Sequence, residues 1–267
     1  MTTIHTADVG GRSELAAALA EARALSGRCL RHVARSPEQL MLMLFLPVML
    51  LLLFRYLFGG AIQTGGTAYV NYVLPGIITV AITFNATVTS VAVCQDMLEG
   101  IVARFRSMPM RSATVLLGHV SAALVRHLVS IAVVVGAGFL VGFRPVGGFA
   151  EWLGALGVLV LFATAVSWIA VLLGIAAKTV EGASGLSMPL VFIPYVGSAL
   201  VPPSTMPDVL RVFAENQPVS LVADAVRAWF LGVPVGNAGW LSLLWWAGVL
   251  IVVVPASAWL FRRKAAG

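Results

Sequence analysis

Residues 152–177 read WLGALGVLVLFATAVSWIAVLLGIAA, a run of 26 positions without a charge. An α-helix needs about 20 apolar residues to cross the hydrocarbon core of a bilayer, so this run is read as a transmembrane span. The rest of the chain agrees. Of 267 residues, 60% are hydrophobic and only 10% charged, with a mean hydropathy of +0.96. Soluble domains carry about 25% charged residues, and a water-facing surface cannot be built from so few. Disordered chains are poor in apolar residues and are excluded by the same numbers. Cys29 and Cys94 stand alone with no CxxC, which removes disulfide frameworks and zinc knuckles. What remains is an all-α polytopic integral membrane protein.

Outward from that run, five further stretches have the length or composition of a span, giving six at about residues 40–58, 70–93, 120–143, 152–177, 183–201 and 240–261. The fifth is the shortest and is broken by Pro189, Pro194 and glycines, while the sixth enters through Trp240, Trp245 and Trp246, rings suited to a bilayer interface. An even number places both termini on one side. On that side fall Arg12, Arg23, Arg28, Arg31, Arg35, Arg104, Arg106, Arg111, Arg126, Lys178, Arg262, Arg263 and Lys264, against Arg55, Arg144, Arg211 and Arg227 on the other. Thirteen against four predicts cytoplasmic termini by the positive-inside rule. The net charge of +6 is then a topology signal and an attraction to anionic lipid, with no support for a nucleic-acid partner. The small residues of 16–24 precede the first apolar run instead of following it, so no signal peptide is expected.

Residues 1–37 form a cytoplasmic arm, 38–262 the membrane domain and 263–267 a cytoplasmic tail. In the arm, Leu15, Leu19, Ala22, Leu25, Cys29 and Val33 share one side of a helix and Arg28, Arg31 and Arg35 another, the pattern of a helix lying in the interface. Ser36 as N-cap, Pro37 at the first helical position and Gln39 as the reciprocal cap then start the first span.

The loop between spans two and three is the most informative soluble-facing stretch. Residues 94–118 read CQDMLEGIVARFRSMPMRSATVLLG and hold five charges. Met97, Leu98, Ile101, Val102, Phe105 and Met108 make one apolar stripe, and Pro109 ends the helix. Such a stripe is buried either on the membrane surface or on a protein partner, and periodicity does not choose between them. On the outer side, about residues 207–215 and 218–231 are helical in pattern but too short to span, and read as helices dipping into the outer leaflet. The second carries Val219, Val222, Val226, Trp229 and Phe230 on one face, with Asp224 and Arg227 spaced to pair.

Several chemistries are missing. Lys178-Thr179 has Ala177 and Leu172 where a phosphate-binding loop needs glycines, and Lys264 is followed by neither Ser nor Thr, so ATP is not expected to bind by that route. All eleven acidic residues fall outside or at the edges of the spans, which disfavours ion-coupled transport. Arg126 and His127, the deepest titratable groups, are expected to snorkel to the cytoplasmic interface. Neither HExxH nor GxSxG occurs, and no metal, cofactor or catalytic residue is expected. In span two, Thr79, Thr83, Thr87 and Ser90 form a polar line with Asn85 and Thr89 beside it, suited either to lining a pathway or to a helix interface. Tyr195 in the broken fifth span carries the same two readings. Gly138 and Gly142 form a GxxxG packing signal.

These residues resemble the membrane subunits of ABC-2 type exporters, and within them the daunorubicin/doxorubicin-resistance-like drug permeases of actinobacteria. Arg35-Ser36-Pro37 with Pro47 and Phe58-Gly59 is similar to the family's opening. Asp96, Gly100, Arg104-Phe105-Arg106 and Pro109 resemble its cytoplasmic loop, with Glu99 beside them. Asn216-Gln217-Pro218 through Arg227 to Leu231-Gly232 resembles the segment before the last span, although Gln217 separates an Asn-Pro pair that the family more often has adjacent. The resemblance implies that about residues 97–108 are a coupling helix docking on a separate ATPase, that the arm is a connecting helix and that the outer segments are re-entrant. It also implies two permease subunits, copies or paralogues, and two ATPases that bring ATP and Mg. The expected cargo is a hydrophobic or amphipathic small molecule crossing a bacterial plasma membrane. Lipid or polysaccharide export and a non-transporting anchor are the alternatives.

Overall fold

The computed structural model describes residues 37–60, 68–99 and 112–266, and these are helical with no strand among them. The N-terminal arm, Gly100, Arg104, Phe105, Arg106 and Pro109 lie outside the described residues. Helix α1 is Pro37–Leu53, continued by a π-helical turn Phe54–Phe58. It is followed by α2 (Tyr69–Leu98), α3 (Ser112–Leu140), α4 (Phe149–Ala176) and α5 (Val180–Phe192). After α5 the chain passes through short 3-10 turns at Ile193–Val196 and Pro203–Thr205 into α6 (Asp208–Asn216), α7 (Pro218–Leu231) and α8 (Ala238–Ala266).

Among the described residues four helices are long and apolar enough to cross a membrane: Tyr69–Leu98, Val115–Leu140, Phe149–Ala176 and Ala238–Lys264. The first and fifth expected spans appear as shorter apolar helices, Met43–Phe58 and Val180–Val196. The physical reason at the second is Pro189 inside the helix and Pro194 opening a 3-10 turn, after which Gly197 leaves helical geometry. Helix α3 starts at Ser112, eight residues before the expected span, so Arg126 lies midway along it.

The helices alternate in direction. At one end, Arg55 at the foot of α1 donates from Nε to the Val141 carbonyl beyond α3, and the Arg144 amide donates to Asn71 Oδ1 at the start of α2. At the opposite end, Cys94 of α2 meets the Thr179 carbonyl before α5, and Lys264 Nζ of α8 donates to the Ala177 carbonyl. Helix α2 is the centre of the bundle, packed by α1, α3, α4, α5 and α7, whereas α8 lies at the periphery. Lipid tails are as apolar as leucine, so burial from water does not drive helices together within a bilayer; close backbone approach and dispersion do. Gly174 of α4 shows how close: a Cβ there would sit 2.4 Å from the Ser90 carbonyl oxygen of α2. The expected GxxxG pair does not act as a pair. Gly138 packs on Leu74, but Gly142 lies past the end of α3 at φ +100°, where it serves a turn.

Candidate functional site

Three polar clusters stand out in this apolar bundle. The first is at the end that holds Arg55 and Arg144. Arg227 of α7 donates from Nε to the Tyr72 carbonyl at 3.0 Å, from Nη2 to the Ser198 carbonyl at 3.0 Å, and from Nη1 to Asp224 Oδ1 one turn earlier. Its guanidinium lies over the Tyr72 ring, 3.7 Å from the centroid. The Tyr69 hydroxyl donates to the Leu200 carbonyl at 2.7 Å and the Tyr72 hydroxyl to the Ser198 carbonyl at 2.8 Å. Ser220 accepts from the Ser198 amide, and the Ser198 hydroxyl donates to Asp224 Oδ1, both at 2.9 Å.

The cluster exists because proline ends α5 early. Residues 197–200 then have backbone groups with no helical partner, and side chains of α2 and α7 satisfy them. Gly76 and Gly197 let the strands of this knot touch: a Cβ on Gly76 would lie 1.7 Å from the Ala199 oxygen, and one on Gly197 1.7 Å from Gln217 Nε2. Burial holds the Asp224 carboxyl above the ordinary carboxylate range, with the Arg227 guanidinium and the Ser198 hydroxyl pulling it back down. The spacing of Asp224 and Arg227 foretold their pairing; Tyr69, Tyr72, Ser198 and Ser220 were not anticipated. The available signal was two of the chain's four tyrosines set three apart, next to an apolar run.

The second cluster is buried halfway along α2, α3 and α4. Arg126 is turned inward, its Nη2 donating to Thr89 Oγ1 at 2.9 Å, and it is nearly closed off from the surface. This corrects the snorkelling expectation: α3 begins early enough that the guanidinium meets α2 rather than the helix end. The Ser167 hydroxyl donates to the Ala163 carbonyl, so His127 Nε2–H is the donor in its 3.2 Å contact with Ser167 Oγ. Asn85 is buried with neither side-chain atom bonded to the described residues, and Ser130 Oγ is in the same state. Thr79 and Thr83 hydrogen-bond within their own helix, and Ser90 reaches the Ala183 carbonyl of α5 at 3.4 Å. Thr83, Asn85 and Ser90 are therefore inside the bundle of this one chain, while Thr87 is half-buried beside exposed Val88 and Tyr195 is exposed.

The third cluster lies where α2 leaves the bundle. Asp96 Oδ2 is 2.9 Å from His119 Nε2 of α3, and Glu99 ends α2 with its amide donating to the Gln95 carbonyl. Met97 and Leu98, expected at the start of a separate helix, complete the last turn of α2. Between α5 and α8, Asn216 closes α6 with its side-chain Nδ2 donating to the Val212 carbonyl, and Pro218 opens α7. Among the described residues no group of three or more His, Cys, Asp or Glu is placed to hold a metal.

A bundle of long apolar helices, with short helices gathered around a polar cluster at one end, is consistent with a polytopic membrane protein. Residues 20–231 match the ABC-2 type transporter family, and the chain belongs to it. It is 34% identical over 235 residues to a daunorubicin resistance ABC transporter permease protein of Streptomyces coeruleorubidus, covering 86% of this chain and 82% of that one. It is 25% identical over 181 residues to a probable doxorubicin resistance ABC transporter permease protein of Mycobacterium tuberculosis, covering 68% of this chain and 66% of that one. The family is one of membrane transport subunits and implies an ABC ATPase as partner.

Proposed function

We infer that this chain is the membrane permease subunit of an ATP-driven exporter that moves a hydrophobic or amphipathic small molecule, a drug or antibiotic, out of a bacterial cell. The observation that carries the reading is the family match over residues 20–231 together with relatives named for daunorubicin and doxorubicin resistance. In this reading the four long helices and the two shorter ones, Met43–Phe58 and Val180–Val196, make six passes with both termini in the cytoplasm. The shorter ones reach across with help from a locally thinned bilayer. The exposed apolar side chains of α6, Val209, Val212 and Phe213, support a place for it in the outer leaflet.

ATP and Mg are bound by the partner subunit, and residues about 97–108 with Asp96 and Glu99 at their base receive its motion. Two permease chains and two ATPases form the working unit. The pathway runs between the two permeases, past Thr87 and Tyr195; the burial of Thr83, Asn85 and Ser90 favours packing for those three. Purification under mild detergent should recover an ABC ATPase, and Gly100→Asp or Phe105→Asp should abolish export with the protein still in the membrane. Recovery of no ATPase together with unchanged export in both variants would sink the reading. Comparison of secreted and cell-associated metabolites with and without the gene decides the cargo, with lipid or polysaccharide export and a non-transporting anchor as the other outcomes.

A further inference from the structure

The ion pairs Asp208–Arg211 and Asp224–Arg227 each lie within one helix; the Asp96–His119 hydrogen bond joins two. Its partners stand 23 residues apart in sequence on the two stems of the loop 99–111, Asp96 in the last turn of α2 and His119 in the second turn of α3. His119 is mostly enclosed and Asp96 more open, so the contact sits at the rim of the packed bundle. On both sides of it the stems are fastened by apolar packing. Val93, Leu116 and Val120 pack with Trp168, Val171 and Ile175 of α4 and Phe261 of α8, and Cys94 meets the turn before α5. Leu116 on α3 and Met97 on α2, each nearer the helix end than the pair, belong to the same apolar packing, so the Asp96–His119 bond is the polar, directional link in a base that is otherwise apolar. Without it, the terminal turn of α2 would be held to α3 by the non-directional packing of Met97 alone, at a helix end that already holds its last carbonyls weakly.

We propose that His119 is a positioning residue: by donating Nε2–H to Asp96 it ties the two stems into one body, so that displacement of the loop by an ATPase reaches α2 and α3 together. This rests on the coupling role of the loop proposed above. The experiment uses the whole complex in proteoliposomes with doxorubicin as the probe. His119→Ala and Asp96→Ala should each leave the ATPase bound while lowering doxorubicin moved per ATP hydrolysed by about threefold or more. The double variant should be no worse than the poorer single, because the residues act as a unit. His119→Gln, whose amide can still donate to Asp96, should recover most of the loss. If doxorubicin is not moved by the unaltered complex, the ATP hydrolysis rate is read with the same expected non-additivity.

A second measurement needs no ATPase. Spin labels at exposed Leu98 and Leu117, in a Cys29→Ser, Cys94→Ser background, should give a broader distance distribution when His119→Ala is added. Unchanged distances, additive single effects, or broadened distances with unchanged coupling would each overturn the proposal. Absence of any ATPase from the unaltered complex would overturn the permease reading instead, with the distances still deciding whether the stems are tied.

Discussion

The guanidinium of Arg227 sits over the ring of Tyr72 while donating from Nε to the carbonyl of the same tyrosine. One side chain thereby grips both the backbone and the side chain of a residue 155 positions away. The remaining nitrogens serve Ser198 and Asp224, so α2, the unwound segment after α5, and α7 are held at a single point.

Replacing Arg227 tests that point. Removing Arg227 strands the half-buried Asp224 carboxyl and the carbonyls of Tyr72 and Ser198, at a cost of about 1–3 kcal/mol, so Arg227→Ala should lower the thermal midpoint of the purified protein. Arg227→Lys keeps the charge but not the planar fork, and most of the loss should persist. A lysine variant with the original midpoint would mean that charge alone matters here.

Gly76 offers a steric test. Alanine there would place Cβ 1.7 Å from the Ala199 oxygen, whereas at Gly157 of α4 a Cβ meets nothing within 4 Å. Gly76→Ala should sharply reduce monodisperse protein in fluorescence-detected gel filtration. Gly157→Ala should be neutral or raise stability by up to about 1 kcal/mol, the helix-propensity difference.

Asn85 carries two buried polar atoms without a bond among the described residues. A buried amide left unsatisfied costs about 1–3 kcal/mol, so Asn85→Leu, similar in volume, should raise the thermal midpoint. Export should be retained if the residue only packs, and a combined loss of export with raised stability would assign it to transport.

Helix α6 should sit among lipids. With Val209, Val212 and Phe213 exposed on it, Phe213→Trp should fluoresce to the blue of a water-exposed indole in vesicles and be quenched by shallowly brominated lipid. Quenching by aqueous iodide alone would place the helix in water.

The long helices were legible because a bilayer demands continuous apolar length, and residues 152–177 meet that demand without ambiguity. Helix ends were less so. The start of α3 at Ser112 was obscured by Arg126 and His127, which look like an interface when read along the chain and are revealed as interior only by Thr89 and Ser167 on neighbouring helices. Proline marked where α5 would fail, yet the partners that rescue its freed backbone, Tyr69, Tyr72 and Ser220, come from distant elements and carry no local signal. The Asp224–Arg227 pairing was legible because three residues is one helical turn; Asp96–His119 was not, since nothing in a linear reading relates the two stems of a loop. The resemblance named Asp96, and the bundle supplied its partner.

The placement of α2 has a mechanical meaning. A beam packed along most of its length by five neighbours resists bending or turning on its own axis, and in the second half of the helix it leaves uncovered a strip running from Phe84 through Thr87 and Val88 to Gln95. Its Asp96 end is held to α3 by the side-chain pair with His119. If the bundle moves in transport, the packing of α2 favours motion as one piece, like a rocker arm, over a hinge within that helix.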